Sequence, residues 1–133
     1  MDRMIFVNLP VSDVEASTAF YTGLGFSKNP QFSDEVTSCI VVSDTICVMI
    51  MEKSRFADFV VGPIADPRAG TSAINCLSAE SRSEVDDLLA KAQASGGKPW
   101  KDMMDEGPMY GGSFADPDGH VWEILYMDMS HVG

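Results

Sequence analysis

SFADPDGHVWEILYM, residues 113–127, carries two short apolar runs that meet at DPDG, residues 116–119. Pro fixes φ in such a tetrapeptide and Gly tolerates φ > 0, so the stretch reads as two antiparallel strands joined by a tight turn. In the second arm Val121, Glu123 and Leu125 alternate with Trp122, Ile124 and Tyr126, and alternate residues of a strand point to opposite faces. One face therefore carries a single carboxylate among aliphatic neighbours. The opposite face is the aromatic one, suited to packing beneath helices.

Working back from this hairpin, KPWKDMMDEGPMYGGSF is a looped entry rich in Met, Gly and carboxylates. Trp100, Met103, Met104, Met109 and Tyr110 are expected to form a mobile apolar lid there, because Met adapts to irregular surfaces and Gly permits hinging. Before it lies SRSEVDDLLAKAQASGG, a helix with capping-box spacing at Ser81 and Glu84. Val85, Leu88, Leu89 and Ala92 share one face, and Gly96 and Gly97 stop the helix. TSAINCLSA, just upstream, is a strand.

The same order opens the chain. MIFVNLPV reads as a strand, and SDVEASTAFYTGLGF as a helix with a capping box at Ser12 and Glu15 and stop signals at Gly23 and Gly25. TSCIVV and TICVMIM follow as antiparallel strands around the turn SDT. Strand, helix, then β-meander occurs twice, a repeat of about 65 residues. The reading is one α+β domain over residues 1–133, built from modules 1–62 and 70–130 joined by VGPIADPRAG. Neither module is expected to stand alone, since one helix leaves part of such a sheet uncovered.

Nine Lys and Arg against twenty Asp and Glu give a net charge of −11. Phosphate backbones and anionic membranes would be repelled, which argues against nucleic acid and membrane partners. Cys39, Cys47 and Cys76 show no CxxC spacing, so neither a disulfide framework nor a thiolate zinc site is indicated. The opening residues lack the apolar length of a signal peptide, and no apolar run approaches the roughly 18 residues of a membrane span. A cytoplasmic location is expected. GxSxG, Walker, GxGxxG and HExxH motifs are absent.

Taken together, NLPVSDVEASTAFYTGLGF, SFADPDGHVWEI and the paired modules resemble the vicinal oxygen chelate superfamily, which includes glyoxalase I, bleomycin-resistance proteins and extradiol dioxygenases. The resemblance covers nearly the whole chain. It implies two βαβββ modules that form a curved, incompletely closed mixed sheet around a cavity, usually in a homodimer. In metal-using members, four inward side chains from the first and last strands of each module hold one divalent ion, such as Ni, Zn, Mn or Fe. Two positions stay open, so that the ion polarises substrate oxygens.

Carried onto this chain, those positions fall on Phe6, Ile74, Val48 or Met49, and Glu123. Only Glu123 matches the donor set, so no metal and no other cofactor is expected. Glu52 lies about 13 Å along the strand from Val48 at 3.3 Å per residue, too far to share an ion. His120, three residues before Glu123, is expected on the other face. A lone carboxyl facing Phe6, Met49 and Ile74 would be partly desolvated, which raises its pKa and suits a general base or a ligand anchor.

The resemblance thus implies a metal-free protein that binds a small organic molecule in an apolar cavity lined by Phe6, Asn8, Met49, Ile74, Tyr110 and Glu123. A second expectation is a lactoylglutathione-lyase-like lyase or isomerase, either metal-dependent or using Glu123 as its catalytic base. A dioxygenase is a weaker alternative within the same class. The third is a structural or protein-binding dimer whose cavity is filled by side chains.

Overall fold

Turn and cap residues set the boundaries of the elements in the computed structural model, which describes residues 2–131. The first half runs β1 (Ile5–Val11), α1 (Val14–Gly23), β2 (Ser27–Lys28), β3 (Thr37–Ser43), β4 (Ile46–Glu52) and the short α2 (Lys53–Phe56). The second runs β5 (Ile74–Ala79), α3 (Arg82–Ala94), β6 (Lys98–Pro99), β7 (Met104–Glu106), β8 (Met109–Ala115) and β9 (Val121–Met127). Each long helix stops where a glycine takes a positive φ that other residues rarely adopt: Gly25 at 102° after α1 and Gly96 at 107° after α3.

The strands form two mixed sheets, ordered β1-β4-β3-β2 and β5-β9-β8-β6, with β7 pairing β8 from outside that path. In each half the first strand runs parallel to the last, β1 with β4 and β5 with β9, while the remaining pairs are antiparallel. The architecture is α+β and is not closed into a barrel. Where one curved sheet was expected, the backbone ladder divides in two, and among the described residues no strand pair bridges the sheets.

One face of each sheet lies under the helices. Leu9, Val11, Ile40, Val48 and Ile50 of the first sheet and Phe114, Trp122 and Ile124 of the second join Phe20, Tyr21, Val85 and Ala92 in one buried cluster. Burying each large apolar side chain contributes about 1.5–3 kcal/mol. Because Val48 is in this core, Met49 faces the other way, which resolves the register of β4.

Ser81 caps α3 as expected, accepting from the Glu84 amide at 3.1 Å. The capping box at Ser12 does not form. Asp13, one residue later, is the N-cap of α1 and accepts from the Ala16 amide at 3.1 Å. Ser12 instead donates its amide and hydroxyl to Asp118 Oδ1, at 2.9 and 2.5 Å.

That contact belongs to a joint between the halves centred on the 116–119 turn. The Tyr21 hydroxyl donates to Asp116 Oδ2 at 2.5 Å and accepts from Trp122 Nε1 at 2.9 Å. Asp116 Oδ1 accepts from the amides of Asp118 and His120. His120 Nε2 donates to the Pro10 carbonyl at 2.7 Å. Burial raises the Asp116 carboxyl above the ordinary carboxylate range, although the Tyr21 hydrogen bond and the nearby His120 oppose it.

Candidate functional site

The site is built on the sheet faces turned away from the helices. In the second sheet, Glu123 of β9 lies between Cys76 of β5 and Ser113 of β8, each directly opposite it in register. Partial burial, then hydrogen bonding toward the facing Glu123 carboxylate and that carboxylate's charge, push the Cys76 thiol up to about 11. Ile74 stands opposite Val121 at the start of the same face and is 49% exposed. In the first sheet, Phe6 is opposite Cys47, and Asn8 is opposite Met49, which is in turn opposite Cys39. Phe6 is 53% exposed, and Asn8 Nδ2 donates to the Phe6 carbonyl at 3.1 Å.

The two sheets therefore present related rows. Asn8 and Met49 occupy in the first the register positions that Cys76 and Glu123 occupy in the second. Phe6, Asn8, Met49, Ile74 and Glu123 all lie on the outward faces, alternating with core residues on their strands.

Tyr110 does not join them. Its hydroxyl donates to Asp86 of α3, and Arg82 of α3 stacks over its ring at 4.7 Å. It belongs to the helix side of β8. The expected lid is likewise displaced. A Cβ placed on Gly112 would lie 2.5 Å from both Leu89 Cδ1 and Met103 Sδ, so Met103 fills the space that this glycine leaves against α3. Met103, Leu89 and Phe114 line a cleft of about 460 Å³ there, with Asp86 and Lys101 at its edges. A second cleft, of about 200 Å³, lies under the connection between the halves and is lined by Leu9, Pro10, Phe56, Ile64, His120 and Val121. Neither is lined by Glu123, which is itself half-buried. His120 lies just before β9, so strand alternation does not govern it; it is committed to Pro10.

These positions do not suit a divalent ion. Phe6 and Ile74 have no donor atom, Met49 offers a soft thioether, and Glu123 supplies one carboxylate. Among the described residues no group of three or more His, Cys, Asp or Glu comes together in a way that could hold a metal.

Cys76 as the partner of Glu123, and Asp116, Asp118 and His120 as the joint, were not evident from the sequence. Parallel pairing of the first and last strands of a module, with Leu77 and Ile124 inward, is the signal that would have placed Cys76.

Paired βαβββ halves with an outward row of side chains on each sheet define a glyoxalase-like class of protein. The family model for the glyoxalase/bleomycin resistance protein/dioxygenase superfamily matches residues 3–124, and the chain belongs to this superfamily. Among curated proteins nothing matches it. Among solved structures it is similar to the hypothetical protein SA1046 from S. aureus, at 28% identity, covering 95% of each chain, with a TM-score of 0.78. A glyoxalase-related enzyme from Fulvimarina pelagi shares the fold at 23% identity and a TM-score of 0.79, covering 95% of this chain and 88% of that one. The fosfomycin resistance protein FosX from Listeria monocytogenes shares it at 18% identity and 0.70, covering 95% and 93%. Among the described residues no helix is long and apolar enough to cross a membrane.

Proposed function

We propose that this chain lacks the divalent-metal centre of its superfamily and binds a small organic molecule against the outward sheet faces, with Glu123 as the polar anchor. The observation that carries the reading is the donor set: Phe6, Ile74 and Met49 stand where a divalent ion needs oxygen or nitrogen. Exposed Phe6 and Ile74 supply apolar contact. Asn8, whose amide nitrogen is engaged with the Phe6 carbonyl, offers its Oδ1 as an acceptor. A homodimer, in which a second copy covers these faces and encloses the ligand, fits the half-exposed Phe6, Ile74 and Met127. The absence of disulfides among the described cysteines is compatible with a cytoplasmic setting.

The test has two parts. Metal content of untagged protein purified without chelator is expected to be far below one Ni, Zn, Mn or Fe per chain; a stoichiometric amount of any of these four would overturn the reading. A thermal-shift screen of small polar aromatics is then expected to yield ligands whose affinity falls about tenfold or more in Glu123→Gln, the scale of a lost hydrogen bond to a charged group. Ligands unaffected by Glu123→Gln would remove Glu123 as the anchor.

A second reading keeps the same carboxylate but turns it to chemistry. Glu123 is partly exposed and faces the Cys76 thiol across the β5–β9 pair, so it is placed to act as a general base on a bound carbonyl compound in a lyase or isomerase. Turnover of an α-hydroxy carbonyl substrate that is lost in Glu123→Gln, without loss of binding, would select this reading over simple binding.

A further inference from the structure

The first sheet holds a cluster of sulfur side chains around Met49 whose donor chemistry the Glu123 reading does not use. On its outward face Cys39 of β3 stands opposite Met49 of β4, and Cys47 stands opposite Val41, one pleat further along. Both cysteines are free and buried, and they lie diagonally across the β3–β4 ladder on the same face. Burial, followed by the neighbouring Cys47, raises the Cys39 thiol above its ordinary value. Directly opposed residues of an antiparallel pair have Cβ atoms about 4.5–5.5 Å apart, which brings the Met49 side chain beside Cys39.

The comparison between the halves sharpens the chemistry. Glu123 and Ser113, paired across β9 and β8, correspond in register to Met49 and Cys39, paired across β4 and β3. Two oxygen side chains in one half are matched by two sulfur side chains in the other, and Cys47 adds a third sulfur. Two thiols and a thioether, with no imidazole or carboxylate in their ladder positions, form a donor set that hard cations avoid and soft ions prefer.

We infer that Cys39, Cys47 and Met49 form a binding site for copper(I). The ion binds Sγ of both cysteines as thiolates, with the Met49 thioether as third ligand. Two S–H bonds break, three Cu–S bonds form and two protons pass to solvent, while copper stays in the +1 state throughout. The site is independent of the Glu123 reading, because it uses the opposite half of the molecule and no residue proposed to anchor the organic ligand by a polar contact.

The test is anaerobic titration of the reduced full chain with Cu(I) against the chelator bicinchoninate. Wild-type protein is expected to withdraw one Cu(I) per chain and to develop near-ultraviolet thiolate-to-copper absorption. Cys47→Ala is expected to abolish both, Met49→Leu to keep the absorption but yield copper at a lower chelator concentration, and Cys76→Ala to behave as wild type. Copper held equally by folded Cys47→Ala, or lost from Cys76→Ala, would overturn the inference. If Cys47→Ala fails to fold, X-ray absorption on copper-loaded Cys76→Ala protein decides. A first shell of sulfur alone supports the site, and one containing nitrogen or oxygen overturns it, as does a wild-type chain that withdraws no copper.

Discussion

Glu123 and Cys76 report on each other, because each is the other's polar neighbour across a parallel strand pair. Replacing Glu123 by Gln removes a negative charge and a carboxylate acceptor, so the Cys76 thiol should fall below its value of about 11, while remaining raised by its partial burial. Iodoacetamide alkylation rates followed against pH would show this as a titration moving to lower pH. An unmoved titration would mean that Cys76 and Glu123 do not touch. Tyr21 offers a second test. Burial, followed by the charge and hydrogen bond of Asp116, holds its phenol well above 10. The unfolded chain ionises this phenol near pH 10 and the folded chain does not. The contribution is therefore complete below pH 10 and is lost as pH rises beyond it. Tyr21→Phe should cost about 1.5–3 kcal/mol in urea unfolding at pH 8, the scale of a hydrogen bond to a charged group. It should also flatten the fall in stability above pH 10. Glu123 was legible because a charge in an apolar run stands out. Asp116 and Asp118 were not, because aspartate before Pro or Gly is ordinary turn chemistry whether or not its carboxylate also ties two halves together.

Elements were legible where sequence punctuation is redundant and illegible where it is missing. Gly25 and Gly96 end the two long helices as their sequence context requires, and Ser81 caps α3. At the start of α1, Ser12 and Asp13 both suit a cap; Asp13 serves because Ser12 is taken by Asp118. Asp13→Ala and Ser81→Ala should therefore each cost about 1 kcal/mol, the usual scale for a lost N-cap, with helicity by circular dichroism falling slightly. Ser12→Ala should leave helicity unchanged while weakening the joint between the halves. The β4 sequence, ICVMIME, is apolar on both faces, so nothing in it distinguishes Val48 from Met49. In MYGGSFA of β8, Gly111 and Gly112 have no side chains to reveal the alternation, which is why Tyr110 was placed on the wrong side. A Cβ on Gly111 would lie 2.6 Å from the Ile124 carbonyl oxygen, so backbone packing, rather than hinging, accounts for that glycine.

For the molecule as a whole, Phe6, Ile74 and Met127 are the large apolar side chains of the outward sheet faces that a single copy leaves exposed. If a second copy covers them, Phe6→Glu should convert a dimer to monomer in sedimentation equilibrium by placing a charge in an apolar contact. An unchanged dimer would place the interface elsewhere. The repeat was readable from the sequence because the same punctuation occurs twice, but the joint was not, because its partners are far apart in the chain. Tyr21 and Asp116 are separated by 95 residues, Ser12 and Asp118 by 106, and Pro10 and His120 by 110. This separation has a consequence for biosynthesis. At about 5–20 residues per second, Tyr21 waits roughly 5–20 s on the ribosome before the turn that seals it has been made. Its ring and the underside of its helix stay open through that interval. The segment that completes the core of the first half is thus made 95 residues after the ring it encloses.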